Sequence, residues 1–461
     1  MGHPKRFIVL ATFIGLFSVA GCIAQERAGS APDKAVETAA ERTAWFREAK
    51  FGMFIHWGPY SLASVEASWP IMTPGPNPAI SEAEYRALPR RFNPARFDAK
   101  AWVRLAKAGG QRYMVFTSKH HDGFCMFDSA LTDYQITKTP YGRDIVVQFA
   151  AACREERMPL GFYYSPPDMN HPGFRDTSKL AKENWRGEPE RPEWTTYLDY
   201  VGGQLRELLT KYGPVALIWF DGLDNQEKYD GSRFHSLIHQ LQPATLINNR
   251  IGLPGDFETP EQFVPDTIPT KSSRTRLAGL EHPKVPTGPA ALPASPDDFL
   301  LWETCMTIND TWAYNKNDRN FKSATQLIRS LVEVASKGGN LLLNVGPTPE
   351  GTIQPEFEER LRAIGAWLRV NGESIYGTTY GPLQNLAFGR TTAKGKTIYL
   401  HVFEWPGGNV ELSGLTRQVS EVRLLAGGKP LKYRQAGAVL TVEVPAQPPD
   451  SHVSVVAIKT R

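Results

Sequence analysis

Between about residue 45 and residue 370, short runs of consecutive apolar residues alternate with longer stretches whose apolar positions recur at helical spacing. Residues 51–56, 113–118, 160–164, 215–220, 245–248 and 340–345 read as strands. Their hydrophobic residues run together instead of alternating with polar ones, the pattern of a strand covered on both faces. Residues 99–108, 144–157, 197–211, 233–241, 325–336 and 356–370 read as helices. In 144–157 the spacing of Ile145, Val146, Phe149 and Cys153 puts one apolar stripe on one face. Trp102, Phe357 and Trp367 fall on such stripes and are expected in the core. Repeated strand–helix units of this number and length predict an α/β fold, a TIM-like (β/α) barrel with irregular units, ahead of a doubly wound sheet. From Gly377 the pattern changes. Residues 397–403, 419–425 and 453–458 read as strands with no convincing helix between them, so 376–461 is expected to be an all-β sandwich.

Polar residues gather where the predicted strands end. His56-Trp57, Lys119-His120-His121-Asp122, Tyr163-Tyr164-Ser165, Trp219-Phe220-Asp221, Asn248-Asn249-Arg250 and Asn344 all lie there. A barrel converges such ends on one mouth, where catalytic groups collect. Solvent exposure accounts for one or two polar strand ends, not for six that set Trp, His and Asp side by side.

Composition narrows the class. The chain has 461 residues, 41% of them hydrophobic and 22% charged, which suits a large domain followed by a small one. Basic and acidic residues nearly balance, 52 against 48, so there is no electrostatic footprint for nucleic acid. No glycine-rich dinucleotide loop follows the first strand and no phosphate loop occurs, since Gly338-Gly339 precedes a strand instead of following one. No cofactor is expected.

The first residues read as an export leader. Lys5 and Arg6 precede an apolar run from Phe7 to Ala20 that is too short to span a bilayer comfortably. The run ends in Val19-Ala20-Gly21-Cys22, which resembles a bacterial lipoprotein cleavage box. That resemblance implies cleavage after residue 21, lipid on Cys22, a tether over 22–44, and a periplasmic or outer-membrane-anchored protein of a Gram-negative bacterium. Cys125, Cys153 and Cys305 then remain, an odd number with no paired spacing for structural zinc. Residues 265–298, rich in Pro, Ser, Thr and Ala, read as a long loop within a barrel spanning 45–375.

Asp221 is the first chemical candidate. It follows Leu217-Ile218-Trp219-Phe220 and precedes Gly222, where a buried strand opens into a loop. A carboxylate beside aromatic rings at a barrel mouth suits glycoside chemistry, which needs a second carboxyl to hold a proton. Glu258, Glu261 and Glu303 are the candidates, and their spacing does not choose between them. His56, His120 and His121 lack the spacing of a compact metal motif, so no metal is expected; hydrogen bonding to sugar hydroxyls explains them better. Trp57, Tyr164 and Trp219 are candidate faces for a sugar ring.

Five stretches resemble the α-L-fucosidases of glycoside hydrolase family 29. They are Phe51-Gly52-Met53-Phe54-Ile55-His56-Trp57-Gly58, Lys119-His120-His121-Asp122-Gly123-Phe124, Trp219-Phe220-Asp221-Gly222, Trp302-Glu303-Thr304-Cys305, and the run from Lys337 to Pro347. They occur in order across roughly three hundred residues. The resemblance implies an imperfect barrel followed by a β-sandwich, and a retaining mechanism without metal that acts on terminal α-L-fucosyl residues of oligosaccharides or glycoconjugates. It makes Asp221 the nucleophile. It makes His56, His120, His121, Tyr164, Trp219 and Arg250 sugar contacts. Asp256-Phe257-Glu258-Thr259-Pro260-Glu261 points to Glu261 as the acid, ahead of Glu303 and Glu258. Ser68-Trp69-Pro70 departs from the Glu-Trp-Tyr pattern of some relatives, and no Gly-Asn-Glu follows the nucleophile, which favours the broader-specificity branch. The competing readings are a barrel glycosidase for a related sugar such as an α-L-galactoside, a non-catalytic fucose-binding surface lectin, and a metal-dependent hydrolase.

Overall fold

The computed structural model describes residues 38–72, 80–222, 224–271, 292–384 and 386–461. All of these fall in one unit of the chain, residues 37–461. The expected leader, Cys22 and the centre of the 265–298 loop lie outside the described residues.

Seven parallel strands form the first sheet: β1 (Phe51–Ile55), β2 (Tyr113–Lys119), β3 (Leu160–Tyr164), β4 (Leu217–Phe220), β5 (Leu246–Ile247), β6 (Glu303–Thr307) and β7 (Asn340–Val345). Their order is β5-β4-β3-β2-β1-β7-β6. The segment 256–262 reaches both edges of this sheet. Phe257 bridges Asn248 beside β5, while Glu258 bridges Trp302 and Glu261 bridges Cys305 on the β6 side, all in parallel sense. An irregular segment therefore stands in the eighth stave of the expected barrel, and it carries Glu258 and Glu261.

The strands bury both faces, and each face has its own core. Met53, Ile55, Met114, Phe116, Phe162, Tyr164, Ile218 and Phe220 point outward to the helices. Phe54, Tyr113, Val115, Tyr163, Leu217, Trp219 and Leu342 fill the barrel. The two sets interleave because successive strand residues face opposite ways. At Gly52 the inward position must be empty, since a Cβ there would lie 2.5 Å from the Tyr113 ring. Trp102, Phe357 and Trp367 are buried, as their helical spacing predicts.

The bottom of the barrel is plugged by a helix, Ala39–Ala49, where the sequence reading placed the end of a tether. Thr38 and Glu41 form a reciprocal capping box that starts this helix. Its Phe46 ring packs 4.7 Å from Phe257 and 5.4 Å from Tyr113. The helix lacks a strong apolar stripe because only Thr43, Phe46 and Ala49 are buried, so hydrophobic periodicity did not reveal it.

Beyond residue 376 two antiparallel sheets pack together. One has five strands (Thr379–Tyr380, Gly389–Lys394, Thr397–Val402, Val419–Leu424 and Ser454–Thr460) and the other three (Gly408–Ser413, Tyr433–Ala436 and Val439–Val444). Leu400, Val402, Leu412, Val442 and Ile458 lie in their shared core. The barrel grips this domain through the Trp367 indole, which donates to the Val453 carbonyl at 2.8 Å. Arg329 adds a bond to the Phe403 carbonyl at 2.6 Å.

A buried ion pair ties two mouth loops to this frame. A register shift after Thr117 turns Lys119 outward, 4.6 Å above the Tyr164 ring. Its Nζ lies 3.1 Å from Asp168, and both side chains are almost wholly buried. Asp168 also accepts the backbone N–H groups of Asn170 and His171. Removing one charge of such a pair strands the other in a dry site, at a cost of about 3–5 kcal/mol. Asp168→Asn should therefore lower the free energy of urea unfolding by about that amount. An unchanged urea midpoint would refute this account of the pair.

Candidate active site

The C-terminal ends of the strands open on a cavity of about 450 Å³, lined by His56, His120, His121, Tyr163, Trp219, Asp221, Arg250 and Glu261. Trp69, Trp185 and Trp312 stand around it. The volume suits a small ligand held in a cleft.

Each group reaches the cavity for a local reason. His56 follows β1, with its backbone N–H bonded to Val345 of the neighbouring strand. His120 and His121 sit in the loop after β2, where Lys119 and Asp122 turn away and anchor it. Asp122 accepts from the Tyr85 hydroxyl at 2.7 Å and from the Phe124 N–H. Asp221 extends β4, and its N–H bonds to the Tyr164 carbonyl. Gly222 follows because a Cβ there would meet the Arg250 carbonyl at 2.4 Å. That same carbonyl accepts the Gly222 N–H and holds the β4 and β5 loops together.

Four planar groups form a row through the site. The His120 ring stacks on Tyr163 at 5.3 Å, and Tyr163 stacks on Trp219 at 5.8 Å. The Arg250 guanidinium lies 4.7 Å from the Trp219 ring centre. Tyr163 and Trp219 are register partners on β3 and β4, so strand pairing sets this stack.

Arg250 organises the charges. Its Nη1 donates to Asp221 Oδ1 at 3.0 Å and to Glu261 Oε2 at 2.8 Å. One nitrogen thus spans both carboxylates, and the two oxygens lie no farther apart than these bonds end to end, about 5.8 Å. Nε and Nη2 are bound by the Thr259 hydroxyl and carbonyl, which fixes the guanidinium plane. Asp221 Oδ2 accepts from the Tyr163 hydroxyl at 2.8 Å. Burial pushes the Glu261 carboxyl above the usual carboxylate range; the Arg250 charge opposes that shift and Asp221 adds to it. Burial lowers His56 to about 4, against the opposing pull of Asn344 and Asp221. His121 falls to about 3, through burial and then the charges of His56, Lys119 and Arg250. His120 is also lowered, chiefly by burial. At neutral pH the three imidazoles are uncharged, each with one donor and one acceptor nitrogen.

The structure does not bring every expected residue to the cavity. Tyr164 points outward, and its hydroxyl donates to Gln204 on helix Trp194–Lys211. The neighbour Tyr163 points in, because side chains alternate along β3. Trp57 turns into the outer core beside Phe92, Phe97 and Trp102, and its indole donates to the Thr348 carbonyl. Glu303 opens β6 at the barrel's lower end, wholly buried beneath the floor. It accepts from the Trp219 indole at 3.0 Å and from the Tyr113 hydroxyl. Burial pushes it up to about 8, against the opposing pull of the Tyr113 and Trp219 hydrogen bonds. Glu258 is buried in the closing segment and accepts from Asn249. Of the three candidate acids, only Glu261 lines the cavity.

Tyr163 and the three rim tryptophans were not among the site residues chosen from the sequence. Tyr163 carried a signal, since it sits one residue from an outward position in a strand of known period. Trp185 and Trp312 lie in irregular segments and Trp69 opens a four-residue helix, Trp69–Met72, all too short for a period to assign a direction. Trp312 reaches the site because Glu66 accepts the N–H groups of Trp312 and Ala313. Its ring then rests 5.0 Å from His56.

One group among the described residues has metal-binding geometry. His120, His121 and Asp221 present ligand atoms within 4.8 Å of one another. Asp221 is already matched by a cation, the Arg250 guanidinium, at hydrogen-bond distance.

Comparison with known proteins gives a consistent result. The sequence model of the family described as alpha-L-fucosidase matches residues 18–373. The chain is similar to the plasma alpha-L-fucosidase of Homo sapiens, 30% identical over 419 residues, covering 85% of this chain and 83% of that protein. It is similar in structure to alpha-L-fucosidase isoenzyme 1 from Paenibacillus thiaminolyticus, with TM-score 0.80 and 37% identity over 92% of this chain and 100% of that one. A Bacteroides thetaiotaomicron alpha-L-fucosidase, solved as a trapped covalent intermediate with 2-fluoro-fucosyl fluoride, has TM-score 0.74 and 26% identity, covering 91% and 96% of the two chains.

The opposite directions of Tyr163 and Tyr164 generate a test. Tyr163→Phe removes a hydrogen bond to a charged group, worth about 1.5–3 kcal/mol, and should lower kcat/KM by about tenfold or more. Tyr164→Phe should leave kcat/KM within about twofold and affect only stability. Equal losses in both variants would contradict this placement.

Proposed function

The chain belongs to the alpha-L-fucosidase family, and from that premise we propose which residues carry its reaction. It is a retaining glycosidase that removes terminal α-L-fucosyl residues from glycans. Asp221 is the nucleophile and Glu261 the acid and base. The observation that carries this assignment is the Arg250 nitrogen shared by the two carboxylates at the cavity floor. Retaining enzymes need their carboxyl groups about 5–5.5 Å apart, and sharing one nitrogen keeps an oxygen of each carboxylate no more than about 5.8 Å from the other, which supports the pairing.

In the first step Asp221 attacks the anomeric carbon as the bond to the leaving oxygen breaks, and the Glu261 proton passes to that oxygen. A β-fucosyl ester on Asp221 results. In the second step Glu261, now ionised, takes a proton from water. The water oxygen attacks the anomeric carbon, the ester bond breaks, and α-L-fucose leaves with Asp221 restored and Glu261 reprotonated. Arg250 and Tyr163 hold Asp221 in place between turnovers. His56, His120 and His121 bind the sugar hydroxyls, and Trp219 offers the pocket an apolar face. Glu303 supports that face from below and takes no part in proton transfer.

The neutral histidines and the raised Glu261 fix the sign of the pH dependence. The acid must hold its proton, so kcat/KM falls as pH rises through the Glu261 pKa. Burial moves that limb above the range of an exposed glutamate. Release of 4-nitrophenol from its α-L-fucoside by residues 23–461 is the direct assay. Asp221→Gly should abolish turnover. Glu261→Gln should lower kcat by about 10²–10⁴-fold against a substrate with a poor leaving group. Glu303→Gln keeps an oxygen that accepts the Trp219 indole bond and should keep most activity. Full activity in Glu261→Gln together with loss in Glu303→Gln would reverse the assignment, and activity unaffected by exhaustive chelation would argue against the metal-dependent reading.

We also propose that the protein is exported and anchored through lipid on Cys22, from the Val19-Ala20-Gly21-Cys22 box alone. Labelled palmitate should mark the full chain in a Gram-negative host and should not mark Cys22→Ser. Equal labelling of both would overturn the anchor.

A further inference from the structure

We propose that Asn344 and Ser165 lock His56 and His121 in the tautomer with hydrogen on Nδ1, and that Ser68 locks His120 in the opposite one. The pocket then offers its sugar two bare acceptor nitrogens, on His56 and His121, and one N–H donor, on His120. The proposal rests on the fucoside reading for the identity of the sugar, and its tautomers are measured without turnover.

The assignment follows from counting hydrogens. Asn344 Nδ2 donates to the Trp312 carbonyl at 2.7 Å, and a carbonyl only accepts, so the amide orientation is settled. Its oxygen therefore faces His56 Nδ1 at 2.7 Å, and the hydrogen between them belongs to the ring. Ser165 has one hydroxyl hydrogen and two close partners. It donates to the Pro167 carbonyl at 2.7 Å, so the 2.6 Å contact to His121 Nδ1 must be filled by a ring hydrogen. Ser68 is the reverse case. Its oxygen accepts the Asp122 N–H at 2.9 Å, and its hydroxyl is fully buried. Its hydrogen goes to His120 Nδ1 at 2.6 Å, which leaves the His120 proton on Nε2. Burial keeps all three rings uncharged, so each has one hydrogen only.

The consequence reaches the nucleophile. His121 Nε2 lies 3.5 Å from Asp221 Oδ2. A hydrogen on that nitrogen would let it close on the carboxylate and hold the electrons that Asp221 needs for attack. Ser165 keeps the hydrogen on the far side of the ring. Asp221 Oδ2 then answers only to Tyr163, and His121 is free to accept from a sugar hydroxyl. Ser68, Ser165 and Asn344 are thus positioning residues, acting through the imidazoles they hold.

The test is nitrogen NMR on the enzyme labelled with ¹⁵N-histidine. The signals of the three rings are assigned by their loss in His56→Gln, His120→Gln and His121→Gln. His56 and His121 should show protonated Nδ1 and bare Nε2, and His120 the reverse. Any of the three in the other tautomer overturns the proposal. Ser165→Ala should move the His121 hydrogen to Nε2 and lower kcat by about tenfold, the loss of one hydrogen bond's worth of control. Ser165→Thr, which keeps the hydroxyl, should restore both. A fall in kcat with the His121 tautomer unchanged would make Ser165 merely structural and defeat the proposal. An enzyme with the stated tautomers and no fucoside turnover would defeat the fucosidase reading instead, since the spectrum does not depend on it.

Discussion

A parallel strand can send only every second side chain into the barrel, and the whole site hangs on that constraint. It places Tyr163 inside and Tyr164 outside. Through the register of β3 and β4 it sets Tyr163 against Trp219, and two residues further along β4 it delivers Asp221 to the mouth. The row His120–Tyr163–Trp219–Arg250 is the same constraint seen across strands. A one-residue slip of β3 would exchange a catalytic floor for a core face and leave polar groups against helices.

Upon this frame the site keeps its charges few. Two carboxylates share one guanidinium, and the three histidines are neutral. Such an arrangement lets Asp221 and Glu261 differ in protonation while both lie at hydrogen-bond distance from the same cation. Asp221 takes two donors, Arg250 and Tyr163, whereas burial lifts Glu261 toward its protonated form. Glu303 shows the other outcome for a buried carboxyl. Burial pushes it up to about 8, and it serves as a hydrogen-bond anchor for the Trp219 floor. Two glutamates near one site thus take different fates, and their surroundings decide which.

Much of this was legible in the sequence. Six of the seven barrel strands, the β-rich tail and the buried Trp102, Phe357 and Trp367 follow from hydrophobic periodicity, whereas β6 (Glu303–Thr307), which mixes Glu and Thr with Cys and Met, carries no apolar run and was not found. Asp221, His56, His120, His121 and Arg250 were legible because they sit directly beyond strands, where direction along the chain dictates position. What failed did so for particular reasons. Trp57 was placed in the pocket by strand-end position, and Tyr164 by that position together with the family resemblance, in both cases without the alternation that separates inward from outward side chains. The plug helix Ala39–Ala49 was missed because it buries only one narrow line of residues. The eighth stave escaped because 256–262 pairs by isolated bridges and has no strand pattern of its own.

Most of the alternating strands and helices, the mouth on which the polar strand ends converge, and the family to which the motifs belong could be read from the chain in one dimension. These are local or collinear properties, written in periodicity and short spacings. Which glutamate meets the cavity, which tyrosine faces Asp221, and which side chain holds each imidazole were settled only on folding. Those are contacts between residues far apart in the chain, such as Glu303 with Trp219 and Arg250 with both carboxylates. Loop closure leaves such pairings free in one dimension, and only packing in three selects among them.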